Sequence, residues 1–380
     1  MKILFDLTDL DDHLTGIERY AMEISCKMIE NHPEQEYILV FKNKVPERYY
    51  DFVMLEHIRT IVIPGCNKLL FRQVVLPFHL VMIKADAYLF LAFPEPWLFF
   101  KRGIYTMIHD MTCMDEPSSM KFLSRWYFRI SNLHTFFAAK YIITNSKFSG
   151  KRILHYAHML GTKAYFTVKK KIVLVPCGIS PVFLKDLEHD GFLKVREKYQ
   201  LPEKYILSLS TIEPRKNMEL ILKAYAKEIK HGKDVPKLVL AGRKGWKMDD
   251  VIQKYQKELD DNIHFAGFIE EEDLPYIYAG AALFITASKY EGFGMPPLEA
   301  LATGTKVLAS DIPAHKEVLS KSAAYFQCNN EKSLRKAMRE SLRETACADA
   351  EACRRQIKKY SWDRAAECLI RITDLERYGS

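Results

Sequence analysis

The stretch YEGFGMPPLEALATGTKVLASD, residues 290–311, sets two glutamates, Glu291 and Glu299, with seven residues between them, and puts two glycines and two prolines into that interval. LFITAS (283–288) just before it has the apolar, β-branched character of a buried strand, and so does KVLASD (306–311) at its end. KYEGFGM then makes a glycine turn and PPLEALAT a short helix, with Pro297 near its first position and Gly304 as its stop. Glu291 is therefore expected just past the carboxyl end of a strand and Glu299 in the first helical turn. In parallel α/β sheets ligands bind at that end, where helix N-termini point N–H groups outward. Gly292 and Gly294 leave the backbone bare enough to approach a phosphate, and the carboxylates can accept bonds from sugar or ribose hydroxyls. The same residues serve equally well as a plain turn and a dipole-matched helix start. The local sequence leaves both readings open.

Working outward, short aliphatic runs alternate with segments of helical period along nearly the whole chain, the pattern of parallel βα units. The first series of strands is KILFDL (2–7), YILVFK (37–42), TIVIPG (60–65), AYLFLA (87–92), IYTMIHD (104–110), YIITNS (141–146) and KIVLVP (171–176). The second is YILSLST (205–211), KLVLAG (237–242), IHFAG (263–267), LFITAS, KVLASD and AAYFQ (323–327). Two such series imply an α/β protein of two doubly wound, Rossmann-like domains. The boundary is expected at CGISP (177–181), giving domains of residues 1–178 and 179–361. After Trp362 the last segment, about 362–380, places Ala365, Cys368, Leu369 and Ile372 on one helical face, so it has a surface to bury.

Composition narrows the function. The 380 residues carry a formal net charge of +8 spread over both signs, without the concentrated basic footprint of a nucleic-acid binder. Eight cysteines lie scattered without metal-site or disulfide-framework spacing, which fits a reducing, cytoplasmic setting. The most apolar region, Leu76 to Phe100, is broken by Lys84, Asp86, Pro94, Glu95 and Pro96, and is not expected to span a bilayer. The amino terminus lacks the apolar core and cleavage site of a secretory signal. No GxGxxG follows an early strand, which disfavours a nicotinamide enzyme.

The 290–311 stretch, taken with TIEPRKN (211–217), resembles the E-x7-E and P-R-K signatures of the retaining glycosyltransferases of family 4, which have the GT-B fold. Further matches run in order along the chain: TGIERYAMEI (15–24), IHDMT (108–112), IITNSKFS (142–149), VLVPCGI (173–179), LVLAGRKGW (238–246), HFAGFIEEEDLPYIYAGA (264–281) and YSWDRAA (360–366). The resemblance implies catalytic positions at His109, Lys216 and Glu291. It implies donor contacts at Gly16, Ser210, Arg215, Ile269, Gly292, Phe293, Gly294, Met295 and Glu299, besides Lys216 and Glu291. Glu291 would lie by the donor sugar, Glu299 by the ribose, and the backbone of 292–295 by sugar and diphosphate. Lys216, with Arg215, would neutralise the diphosphate. His109 would stand near the reacting carbon, Gly16 across from the diphosphate, and the Ile269 backbone at the base. Ser210 stands where many members have an arginine, so Arg215 is expected to take over that contact. The physical grounds for a cation are independent of the family: the leaving diphosphate gains negative charge as the glycosidic bond breaks. The bland alternatives are a solvated helix start at Arg215–Lys216, a structural histidine at 109, a plain turn at Gly16 and a core residue at Ile269.

The implied reaction moves a hexose from a nucleoside-diphosphate sugar to a hydroxyl with retention of configuration, in synthesis of a surface glycan. GIERY, IHD and PRKN resemble the mannosyltransferase-rich branch, so GDP-mannose is the first donor expected, ahead of dTDP-rhamnose and UDP-sugars. Other GT-B readings are a nucleotide-sugar 2-epimerase and a non-catalytic binding subunit. No metal or other cofactor is expected. Asp9-Leu10-Asp11 is formally a DxD, but it precedes the first helix of a chain whose other signals indicate GT-B. The domain 1–178 would bind the acceptor, a glycan or lipid-linked oligosaccharide, and 179–361 the donor, with the last helix packing back on the first domain. SSMKFLSRWYFRISNLHTFFAAK (118–140) and KAYFTVKKK (163–171) interleave aromatic and basic residues. They suit either an anionic membrane surface, making the protein peripheral on the cytoplasmic face, or packing into the domain.

Overall fold

The computed structural model describes residues 1–10, 14–232, 235–243, 249–344 and 350–374. Asp11, Cys347, residues 244–246 of the LVLAGRKGW segment and 375–380 of the final segment lie outside the described residues. The chain divides into two compact units, one of Met1–Gly178 with the segment from Ser361 onward, the other of Ile179–Tyr360.

The first unit is built on a sheet ordered β3-β2-β1-β4-β5-β6-β7. Its strands are β1 (Lys2–Asp6), β2 (Glu36–Lys42), β3 (Ile58–Ile63), β4 (Ala87–Phe90), β5 (Ile104–Met107), β6 (Tyr141–Thr144) and β7 (Ile172–Leu174). The second unit has the order β10-β9-β8-β11-β12-β13. It uses β8 (Tyr205–Leu209), β9 (Lys237–Ala241), β10 (Ile263–Gly267), β11 (Leu283–Thr286), β12 (Val307–Ser310) and β13 (Ala324–Phe326). Every pairing is parallel, as in Ile3 opposite Tyr37 and Leu207 opposite Val239. Parallel strands joined by helical crossovers are covered on both faces, which is why AYLF and IYTM are buried without a break. In each sheet the strand order reverses once, between β1 and β4 and between β8 and β11, and at such a reversal the connections diverge to leave a crevice at the carboxyl ends.

The final helix, Trp362–Asp374, belongs to the first unit. Its apolar face, Ala365, Leu369 and Ile372, is buried, and the Trp362 ring meets Tyr20 of the helix Gly16–Asn31 edge-on at 5.6 Å. Gly178 admits this approach, since a Cβ there would stand 2.3 Å from Trp362 N. The helix Phe122–Ala138 packs only part of its surface: Phe128 stacks on Phe93 at 5.8 Å and Tyr127 lies 5.7 Å from Trp97. Phe122, Leu123, Trp126, Ile130 and Phe137 remain exposed, so the helix packs into the domain on one side and leaves apolar side chains exposed on another. Among the described residues no helix is long and apolar enough to cross a membrane.

Candidate functional site

In the second unit β8 ends at Leu209, and the chain passes through Ser210 into a single 3-10 turn, Pro214–Lys216. Asn217 then takes a left-handed conformation, φ 56°, and starts the helix Met218–Lys230. Asparagine tolerates this backbone better than most side chains, and the kink turns Arg215 and Lys216 back over the sheet. Their side chains are only 16% and 15% exposed, so the solvated-helix-start alternative does not describe them.

Both cations converge on Glu291, which follows β11 on the other side of the strand-order reversal. Lys216 Nζ donates to Glu291 Oε1 at 2.6 Å and Arg215 Nη1 to Oε2 at 2.7 Å. Ser288 Oγ adds a bond to Oε1 at 2.7 Å. Arg215 also donates to Tyr290 O and, through Nη2, to Glu213 Oε1 at 2.8 Å each, while Lys289 N donates to Arg215 O at 2.9 Å. Burial by itself would raise the Glu291 carboxyl, but the charges of Arg215 and Lys216 and the bonds to Lys216 and Ser288 hold it well below the usual carboxylate range. Burial, aided by Arg215, pushes Lys216 down against the opposing pull of Glu291.

The glycine turn follows directly. Gly294 has φ +94° and caps the helix Met295–Ala302. That helix starts two residues before Pro297, so Glu299 is its fifth residue rather than a member of its first turn. Prolines fit the opening turn because N–H groups there have no intrahelical acceptor. Pro296 and Pro297 also lack the N–H, so the backbone N–H groups of this segment are those of 292–295. Phe293 is buried with its ring 5.3 Å from that of Tyr360. Glu299 is 5% exposed and accepts from Tyr278 Oη at 2.9 Å, which makes an attraction to the helix dipole a poor account of its position. Ser210 donates its N–H to Ala241 O, and Ile269 is buried just past β10.

Gly16 and His109 belong to the first unit. Gly16 is exposed at the start of its helix, where Glu18 accepts from Thr15 N–H at 2.6 Å. His109 follows β5, with Nε2 2.8 Å from Leu91 O and its ring 5.3 Å from Tyr20. A carbonyl only accepts, so Nε2 carries the proton and Nδ1 the lone pair. Burial lowers the imidazole from 6.5 to about 4, against smaller opposing effects of the Leu91 bond and Asp110, so the ring is neutral near pH 7. Asp9 pairs with Arg72 and, at 3.3 Å, with Lys68, so its carboxylate is already committed to cations.

The sequence reading passed over Ser288, Glu213, Tyr278 and His315. The first three lie inside segments singled out for their neighbours, and a polar residue at the end of an otherwise apolar strand was the available signal for Ser288. His315 lies in the first turn after β12, where a histidine carries no periodic signature.

Residues 192–360 match the family of glycosyl transferases group 1. Over 97% of its length the chain is 26% identical to the O-antigen chain mannosyltransferase B of Escherichia coli, covering 98% of that protein. It is 28% identical over 61% of its length to the O-antigen chain mannosyltransferase RfbU of Salmonella typhimurium, covering 59% of it. Among solved structures, the Anabaena protein HepE in complex with UDP and glucose superposes with a TM-score of 0.73 at 16% identity, over 98% of this chain and 99% of that one.

Proposed function

We propose that this chain, whose residues 192–360 match the glycosyl transferases group 1 family and which is similar to O-antigen mannosyltransferases, is a glycosyltransferase that transfers mannose from GDP-mannose, with retention of configuration, to a hydroxyl of a growing surface polysaccharide. The observation that carries the proposal is the Arg215–Lys216–Glu291 cluster, which joins the ends of β8 and β11 directly ahead of the 292–295 turn. Two cations and a set of backbone N–H groups at a strand-order reversal suit a diphosphate. A carboxylate held ionised between them suits the hydroxyls of a neighbouring hexose.

In this reading the donor diphosphate lies against Arg215, Lys216 and the N–H groups of 292–295, and Glu299 takes the ribose. As the bond from the anomeric carbon to the β-phosphate oxygen breaks, charge gathers on the phosphate and Lys216 stabilises it without reorganisation. The acceptor hydroxyl enters on the same face and gives its proton to the departing phosphate oxygen. The protein's contribution is then positioning and charge rather than a general base. His109, neutral with its Nδ1 lone pair available, suits acceptance of a hydrogen bond from a sugar hydroxyl. The test is binding and turnover across GDP-, UDP-, dTDP- and ADP-sugars with and without EDTA, in wild type, Lys216→Ala and Glu291→Ala. EDTA-resistant turnover of GDP-mannose, lost in both variants, is the expected result. Selective use of a UDP- or dTDP-sugar would overturn the donor assignment, and conversion of donor without any acceptor would indicate epimerisation.

The first unit is proposed as the acceptor side, peripheral on an anionic, cytoplasmic membrane face. The exposed stripe Leu123, Trp126, Ile130 and Phe137 is flanked by Lys121, Arg125 and Arg129, and Phe166 with Lys163, Lys169 and Lys170 repeats that chemistry on the helix Thr162–Lys171. Arg125 and Arg129 lie over the rings of Phe122 and Trp126 at 5.2 and 5.4 Å, so the aromatic groups carry cations with them. Flotation with anionic vesicles is expected, and none with neutral ones.

A further inference from the structure

Behind Glu291 a hydrogen-bonded chain runs into the body of the second unit. Ser288, whose hydroxyl donates to Glu291, accepts at its carbonyl from Ser310 Oγ at 2.6 Å. His315 Nδ1 lies 3.0 Å from Ser310 O and 3.2 Å from Ser310 Oγ. The carbonyl can only accept, so Nδ1 bears the proton and Nε2 the lone pair. Burial holds the imidazole below the ordinary histidine value, against the opposing pull of Glu291. His315 is 0% exposed, and its Nε2 has no hydrogen-bond partner among the described residues.

That nitrogen faces the glycine turn: a Cβ on Gly294 would stand 3.5 Å from Nε2 and 3.3 Å from Cδ2. A buried acceptor without a donor is unfavourable, and an apolar side chain would fill the same space without that cost. The Nδ1 bond alone does not explain a histidine, because an asparagine amide can donate to Ser310 O equally well. The nitrogen left over is the one aimed at the candidate donor site.

We propose that His315 is a donor-sugar residue, whose Nε2 accepts a hydrogen bond from a hydroxyl of the hexose when the nucleotide sugar binds and the 292–295 turn shifts to admit it. The absent side chain at Gly294 is what leaves Nε2 reachable from that turn. The inference rests on the reading of this unit as a nucleotide-sugar site and goes beyond it, because it separates recognition of the sugar from recognition of the nucleotide.

The experiment is calorimetric titration of the full chain with GDP and with GDP-mannose, or with the matching UDP pair if the donor panel selects it, for wild type, His315→Asn and His315→Gln. Asparagine retains a donor towards Ser310 O and has nothing at the Nε2 position, whereas glutamine reaches that position with an amide. His315→Asn is expected to bind GDP as wild type does and GDP-mannose about 10-fold more weakly, or about 1.4 kcal/mol. His315→Gln should recover most of the loss. Equal losses for both ligands would overturn the proposal in favour of plain support of the turn, and so would no loss at all. In wild type with 15N-labelled histidine, the Nε2 resonance of His315 should move with GDP-mannose and not with GDP, a readout independent of variant folding. The same response to both ligands would overturn the proposal. If wild type binds none of the nucleotides, the donor reading itself falls, and this inference with it.

Discussion

Both units place a buried cluster of arginine and carboxylates where their sheets reverse strand order, and the two clusters behave in opposite ways. In the first, Asp6 at the end of β1 and Asp9 share Arg72, whose guanidinium also donates to Pro94 O at 2.8 Å. Arg72 is 3% exposed, and Lys68 adds a contact to Asp9. In the second, Glu291 has Arg215 and Lys216 within bonding distance, each about five times as exposed as Arg72. Asp6 is raised above its usual value, because burial and then the charge of Asp9 outweigh the Arg72 cation. Glu291 is lowered, because two cations outweigh its burial. What separates them is how the cations are shared: Asp6 meets one guanidinium that also serves Asp9, whereas Glu291 holds bonds from two different cations.

Arg72→Met should break the comparison most forcefully. Two buried carboxylates would lose their main counter-charge, and a loss of about 3–5 kcal/mol in urea unfolding is expected, with turnover per folded molecule retained. Lys216→Ala should show the reverse pattern: turnover down about 10²–10³-fold, roughly 2.7–4 kcal/mol of transition-state stabilisation, with a much smaller fall in stability. If both variants lose stability alike and neither loses turnover, the functional distinction between the clusters is wrong.

Gly294→Ala sharpens the second cluster further. At φ +94° and with His315 3.3 Å from the new Cβ, it should cost about 1–3 kcal/mol and weaken donor binding, whereas an alanine at exposed Gly16 should cost less than about 1 kcal/mol. Acid unfolding separates the two carboxylate clusters by sign, with His109 adding a limb of its own. His109, at about 4 in the fold and 6.5 when unfolded, binds its proton more weakly in the native state, so stability falls as pH drops through that window, and His109→Gln should flatten that limb. Glu291 contributes stability above 4.5 that is lost as pH falls further, while the raised Asp6 changes stability in the opposite direction there. The smallest effect on stability belongs to the exposed stripe: Leu123→Glu and Ile130→Glu should each stay within about 0.5 kcal/mol of wild type yet abolish vesicle flotation.

The strands were legible because a parallel strand buried on both faces announces itself as a continuous apolar run. YILVFK, LFITAS and KVLASD lie within a residue or two of β2, β11 and β12. KIVLVP was cut short because Lys171 ends the preceding helix, Thr162–Lys171, where a lysine suits the negative end of the helix dipole. The helix at Met295 began earlier than proline and glycine punctuation suggested, because left-handed Gly294 caps it and the following prolines tolerate the opening turn.

Sequence alone determined the alternation of strand and helix, the two series, and the spacing that puts Glu291 and Glu299 on either side of a glycine turn, because these depend on residues near one another along the chain. Tertiary structure decided the rest. Whether Arg215 and Lys216 point to water or to a carboxylate, which glutamate they choose, and that His315 backs Gly294 all depend on β8, β11 and β12 lying side by side across long crossovers. Charge and burial act through space, and sequence distance carries no record of which strand ends become neighbours.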